Sequence, residues 1–145
     1  MILILKNDRI TFLKEDFLKG FPAYCGIKVG KVSDGKFNSI LNVRPEHKQQ
    51  DGFVHAGVIA TMADHTAGYS AYTQVPKDIR ILTIEFKINY FKPAIGDIVI
   101  CKSKIINKGK KIIVAESDIY IATEGKESQI SKAIVTLAAV KSRSS

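Results

Sequence analysis

From His55 to Tyr72 alanine recurs every third or fourth position, at Ala56, Ala60, Ala63, Ala67 and Ala71, which is the repeat of a helix. The stretch is small and apolar nearly all round, which predicts a helix packed on several sides and not one lying on a surface. Gln74 to Asp78 breaks it, with Pro76 enforcing the stop. Upstream, TFLKEDFLKGFP sets Phe12, Leu13, Phe17 and Leu18 at helical spacing, with Thr11 as N-cap and Gly20 and Pro22 as the stop. A short amphipathic helix is expected there. GIKVGKVSDGKFNSILNV alternates apolar and polar positions on both sides of SDG, predicting a hairpin with strands over about 27–33 and 36–43.

Beyond Asp78 the period changes from helical to two. ILTIEFKINYF, DIVICKSKII, KIIVAESDIYIAT and SQISKAIVTLAAV read as strands, and PAIG, NKGK and EGKE read as the turns between them. Strands joined by such short turns run antiparallel, because a parallel neighbour needs a crossover of a dozen or more residues. The expected order is a small helix, a hairpin, one long central helix and a four-stranded meander. The fold class is α+β, with a curved antiparallel sheet of about six strands wrapped around the central helix. One sheet face then lies on the helix and the other on solvent or a partner subunit.

Composition changes this picture little. A chain of 145 residues without a Pro- or Ser-rich linker suits one domain, with about 1–10 and 142–145 (the SRSS tail) peripheral. MILIL is only five apolar residues, too short for a signal-peptide core, and no run is long enough to cross a bilayer, so a cytoplasmic protein is expected. Cys25 and Cys101 form no CxxC and are read as free thiols. His47, His55 and His65 are too scattered for a metal cluster, so no metal is expected. The net charge of +8 does add information, since it favours an acidic partner such as a nucleic acid, an anionic lipid or a phosphorylated cofactor. Nucleic acid is disfavoured, because the lysines are spread over many elements with no Trp and no Arg-rich run beside them.

The candidate chemistry sits in HAGVIATMAD. A carboxylate on a helix built for burial costs several kcal/mol unless something satisfies it, so Asp64 needs either a structural partner or a function. At the other end of this stretch, the first helical turn offers unpaired N–H groups and the positive end of the dipole, and Ala56 and Gly57 have little side chain to block an approaching oxyanion. Gly57 is equally suited to close packing against the sheet. His55 is placed to orient the N-terminal turn, having no neighbouring partner that would make it a general base. His65, about 100° from Asp64 around the helix, is read as structural. Asp64 follows His55 by nine positions, about 13 Å along the helix and half a rotation away. Two such helices running antiparallel about a two-fold axis could set the start of one opposite the aspartate of the other.

QQDGFVHAGVIATMADHTAGYSAY followed by LTIEFKINYFKPAIGD resembles the hot-dog-fold thioesterases of the phenylacetic acid degradation (PaaI-like) family, over about residues 20 to 140. The resemblance implies an acyl-CoA thioesterase, a homodimer or dimer of dimers with active sites at the dimer interface. It further implies Asp64 as general base or nucleophile and the backbone N–H at Ala56 as oxyanion donor, where Ala-Gly replaces the family's usual double glycine. Gln49 matches a position that often holds an asparagine, and Thr83 matches a hydroxyl position that holds the water or steadies the carboxylate. Coenzyme A is part of the substrate and no separate cofactor is implied. Arg80, Lys92, Lys108, Lys110 and Lys111 are candidate cations for its phosphates, and Phe53, Met62, Tyr69, Tyr72 and Phe91 are candidate walls for the acyl group. Two other readings stand beside it: a hot-dog protein that binds acyl-CoA without cleaving it, and an acyl thioester dehydratase or hydratase. The latter is weakened by an acid on the helix and by the lack of a proline-rich loop around the histidine.

Overall fold

The computed structural model describes residues 4–143, so the first three residues of MILIL and the last two serines of the tail lie outside the described residues. The elements are α1 (Asn7–Phe17), α2 (Phe21–Cys25), β1 (Ile27–Ser33), β2 (Lys36–Asn42), a 3₁₀ turn (Pro45–His47), α3 (Ala56–Tyr72), β3 (Ile79–Tyr90), β4 (Ile98–Lys108), β5 (Ile112–Thr123) and β6 (Lys126–Lys141). The six strands form one antiparallel sheet in the order β1-β2-β4-β5-β6-β3. The central helix and both hairpin strands therefore fall where the periodicity places them. Among the described residues no helix is long and apolar enough to cross a membrane.

The expected four-stranded meander is not formed. Strands β4, β5 and β6 follow one another, but β3 pairs with β6 at the sheet edge, from Ile79 opposite Lys141 to Tyr90 opposite Ser131. PAIG is accordingly part of a crossing segment and not a hairpin turn. That segment runs past the strand ends and is hydrogen-bonded as it goes: Phe91 N–H donates to Ile130 O, Asp97 N–H to Ala122 O, and Val43 N–H to Asp97 O. Because the sheet curls, a short connection can reach from one edge to the strand beside β2. The EGKE turn does make its hairpin, with Glu124 (φ 52°) and Gly125 (φ 78°) both in the left-handed region, as a two-residue turn joining twisted strands requires.

At the other end of the chain, α1 starts five residues earlier than expected. Lys6 occupies the N-cap without a side-chain cap, and Thr11 lies inside the helix, where its hydroxyl donates to Asn7 O at 3.0 Å. Pro22 does not merely stop a helix; it sits in the first turn of α2, where a missing N–H costs nothing.

α3 lies in the concave face of the sheet. Met62, Ala63, Ala67 and Ala71 are fully buried against Val99, Ile113, Ala115 and Val135. The small residues let the helix approach closely enough for hydroxyls to meet between the layers, and these satisfy one another. Ser39 and Thr66 are 2.7 Å apart, Ser103 and Ser117 2.6 Å, and Ser117 donates to Ala63 O at 2.7 Å. α1 closes one flank through Leu13 and Phe17, and the Phe17 ring packs on Phe37, His65 and Tyr69 at centroid separations of 5.1, 4.3 and 5.2 Å.

Candidate active site

His55 is the N-cap of α3, in extended backbone (ψ 134°), and its Nδ1 accepts the Gly57 N–H at 2.8 Å. This contact explains the glycine: a Cβ at position 57 would come within 2.9 Å of that nitrogen. Gly57 thus serves the approach of a histidine ring, not packing against the sheet. Replacing Gly57 by alanine is expected to push the ring off its cap, losing about 1 kcal/mol while gaining nearly as much in helix propensity. Tm should barely change while the His55 Nδ1 resonance moves; an unmoved resonance would contradict this packing.

With the Gly57 N–H taken, the Ala56 N–H has no acceptor among the described residues. The residue faces an open cleft of about 630 Å³ lined by Gln49, Phe53, His55, Tyr90, Phe91 and Lys92. Gln49 is committed to its own loop, its Oε1 accepting the N–H groups of Asp51 and Phe53, so only its amide nitrogen is available to a ligand. Lys92 contacts the Ser128 hydroxyl. The Tyr90 hydroxyl donates to the Ala56 carbonyl at 2.8 Å and ties the first turn of α3 to β3. Burial raises the Tyr90 pKa, keeping the phenol protonated and able to donate.

Asp64 lies elsewhere. It is half-buried, and the Thr83 hydroxyl reaches it from β3, donating to Oδ1 at 2.7 Å. Among the described residues Oδ2 has no protein partner. A separate cleft of about 330 Å³ opens over the carboxylate, walled by Phe21, Ala60, Thr61, His65 and Phe86. His65 borders this cleft, but its ring packs in the aromatic cluster, its Nε2 within 3.0 Å of Phe17 O, and burial lowers its pKa. His47 is structural too, its Nδ1 accepting the Arg44 N–H and its Nε2 meeting Cys25 O.

The expected site residues therefore fall into groups. Asp64 and Thr83 are brought together, and Gln49, Phe53, His55, Ala56 and Lys92 share the other cleft. Arg80 opens into a cavity with Arg9 and Tyr72, and Lys110 lies with Lys108 against Gln74, so neither lines either cleft. Lys111 neighbours Lys110, its carbonyl bound by the Ala139 N–H. Met62 and Tyr69 are core residues and wall neither cleft. Sequence reasoning missed Tyr90, Phe86 and Phe21. The first two sit in the strand it identified, but which face they present depends on the bulge between Thr83 and Glu85; Phe21 belongs to the unexpected α2.

Comparison with known proteins bears on the fold and the family. The structure of a thioesterase family protein from Silicibacter pomeroyi superposes with a TM-score of 0.88 at 26% identity, covering 92% of this chain and 98% of that one. A hypothetical thioesterase protein from Streptococcus pneumoniae, solved with coenzyme A, gives 0.75 at 23% identity over 90% of this chain and 98% of its own. A 1,4-dihydroxy-2-naphthoyl-CoA hydrolase of Listeria monocytogenes is 28% identical over 105 residues, 72% of this chain and 85% of that protein. The hot-dog architecture expected from the sequence is thus the one these thioesterases share. The family model for the thioesterase superfamily matches residues 51–128, the stretch that carries the end of the loop before α3, all of α3 and Thr83 on β3, and with that match the chain belongs to the thioesterase superfamily.

Proposed function

We propose that this thioesterase hydrolyses acyl-CoA thioesters as a homodimer, each site combining Asp64 and Thr83 of one protomer with the α3 N-terminus of its partner. The observation that carries the proposal is the separation of two halves of one chemistry: a carboxylate with a free oxygen in one cleft, an unpaired N–H in another. Neither half suffices for hydrolysis. The edge strand supports their union across a two-fold axis, since β3 is twelve residues long, has one free edge, and leaves Leu82 57%, Ile84 54% and Phe86 38% exposed. A long apolar edge invites pairing with another strand, and an isologous pairing of β3 with its own copy runs the two α3 helices antiparallel.

In this site the Thr83 hydroxyl donates its hydrogen bond to Asp64 Oδ1, so its oxygen is free to accept one from water while the ionised carboxylate takes the water's other proton on Oδ2. The water oxygen then bonds to the thioester carbon, and the carbonyl oxygen becomes an oxyanion against the partner's Ala56 N–H. Collapse breaks the carbon–sulfur bond. The coenzyme A thiolate leaves with the proton returned by Asp64, and the free acid remains. The hydrolase from Listeria and the coenzyme A in the Streptococcus structure support CoA as the thiol, and Lys92 at the rim of the helix-start cleft is the cation best placed for its phosphates.

Mixed dimers test the shared site. Asp64→Asn and Ala56→Pro chains, each inactive alone, should regain about a quarter of wild-type activity when mixed equally, because half the dimers then hold one intact site. A mixture as inactive as its parents would place both halves within one protomer. Thr83→Ala should lower kcat by about tenfold, the scale of one hydrogen bond to a charged group, with Thr83→Ser restoring most of it. An unchanged rate in Thr83→Ala would remove the residue from the mechanism.

A further inference from the structure

Away from both clefts, at the C-terminal end of α3, a cavity of about 230 Å³ opens between α1 and the start of β3. Three cations line it: Arg9 from α1, Lys77 from the connection after α3, and Arg80 from β3. Among the described residues none of the three makes an ion pair within 4.0 Å. Two acids also line the cavity, but both are partly engaged. Asp16 accepts the Tyr69 hydroxyl at 2.7 Å and pairs with Lys19 at 3.5 Å, and Asp8 accepts the backbone N–H of Arg9 at 2.9 Å.

Arg9 is the unusual member. Its Nε is buried and has no hydrogen-bond partner among the described residues, while its guanidinium lies 5.4 Å from the centroid of the Phe12 ring. Buried polar groups normally find an acceptor, so this one marks a place where an acceptor is missing. Burial is the main influence lowering the Arg9 pKa, and the nearby charge of Arg80 acts in the same direction. An anion between the two guanidinium groups would relieve both.

The rest of the lining is apolar, with Phe12, Tyr72 and Ile79 as walls, and a second cavity of about 290 Å³ that shares Arg9 and Lys77 continues past Val75 and Pro76. Three cations against two acids leave one positive charge, which suits a monoanion better than a dianionic phosphate. A guanidinium fork matches a carboxylate in plane and spacing. We propose that this cavity binds an amphipathic carboxylate, its head between Arg9 and Arg80 and its apolar body along Phe12, Tyr72 and Ile79. The site is independent of Asp64, which lies eight residues earlier on α3, about 12 Å along its axis.

The test is a titration of the whole dimeric or monomeric protein with hexanoate, followed by the methyl resonances of Leu13 and Ile79, which line this cavity, and of Ile59, which lines the helix-start cleft. Saturable movement of Leu13 and Ile79 is expected in wild type and Asp64→Asn alike, with affinity reduced about tenfold or more in Arg9→Gln. Hexanol and inorganic phosphate should not saturate these signals. Lys77→Gln, an exposed position, carries the same test with a smaller loss if Arg9→Gln does not fold. Movement confined to Ile59, equal binding of hexanol, saturation by inorganic phosphate alone, or undiminished binding in the folded variants would each overturn the proposal.

Discussion

Asp64→Asn is expected to lower kcat for thiol release from acyl-CoA by about 10²–10⁴-fold, the range a positioned general base supplies. The substitution isolates the chemistry because it preserves the shape. The amide oxygen can still accept the Thr83 hydroxyl, now held at 2.7 Å, so the link between α3 and β3 survives. What is lost is the free second oxygen as a proton acceptor, since an NH₂ group can only donate there. Tm should therefore stay near that of wild type while turnover disappears. The measurement is a panel of short, medium, long and aromatic acyl-CoAs with both proteins, which also identifies the preferred acyl group. A variant retaining more than about a tenth of the rate would remove Asp64 as the base, and one that fails to fold would make its carboxylate a structural group. A wild type that binds acyl-CoA without releasing thiol would instead favour the non-hydrolytic reading.

Ala56→Pro should have the second largest effect, a loss of about 2.7–4 kcal/mol in transition-state stabilisation, or roughly 10²–10³ in kcat, from deleting one oxyanion donor. Proline removes that N–H and little else. Position 56 is the first residue of α3, where proline is well tolerated, and His55 already has the extended ψ of 134° that a residue before proline requires. The Gly57 N–H remains bound to His55 Nδ1, so it cannot substitute without giving up the cap. Circular dichroism and Tm should match wild type. If KM rises while kcat holds, the N–H binds substrate and transition state alike, and the oxyanion assignment fails.

Those two halves differ in how far the sequence reveals them. The helix α3 is legible because its small residues repeat at a helical period over seventeen residues, and the strands are legible from alternation. Both are local signals. The pairing of β3 with β6 is not local: nothing in LTIEFKINYF distinguishes a neighbour at β4 from one at β6, and the deciding contacts lie in the curl of the whole sheet. The same limit applies to Asp64. Its solitary place on an apolar helix marks it as a residue needing a reason, but the Thr83 hydroxyl beside it becomes visible only once β3 is laid along the helix. Gln49 shows the reverse, since its residue type suggests a ligand contact while its Oε1 is committed to the turn it belongs to.

The edge position of β3 also sets an order of assembly. Its partner is β6, with Ile79 opposite Lys141, so a ribosome must synthesise the chain through residue 141 before all of β3 can be zipped into the sheet. Until then a long apolar strand with Leu82 and Ile84 on it waits without a neighbour. Contacts this distant in sequence are slow to close, and the waiting species is the one prone to aggregate. Truncations within β6 should therefore appear as insoluble protein even where α3 and the β1–β2 hairpin are intact, and the strand bearing Thr83 becomes native only after β6 has been made.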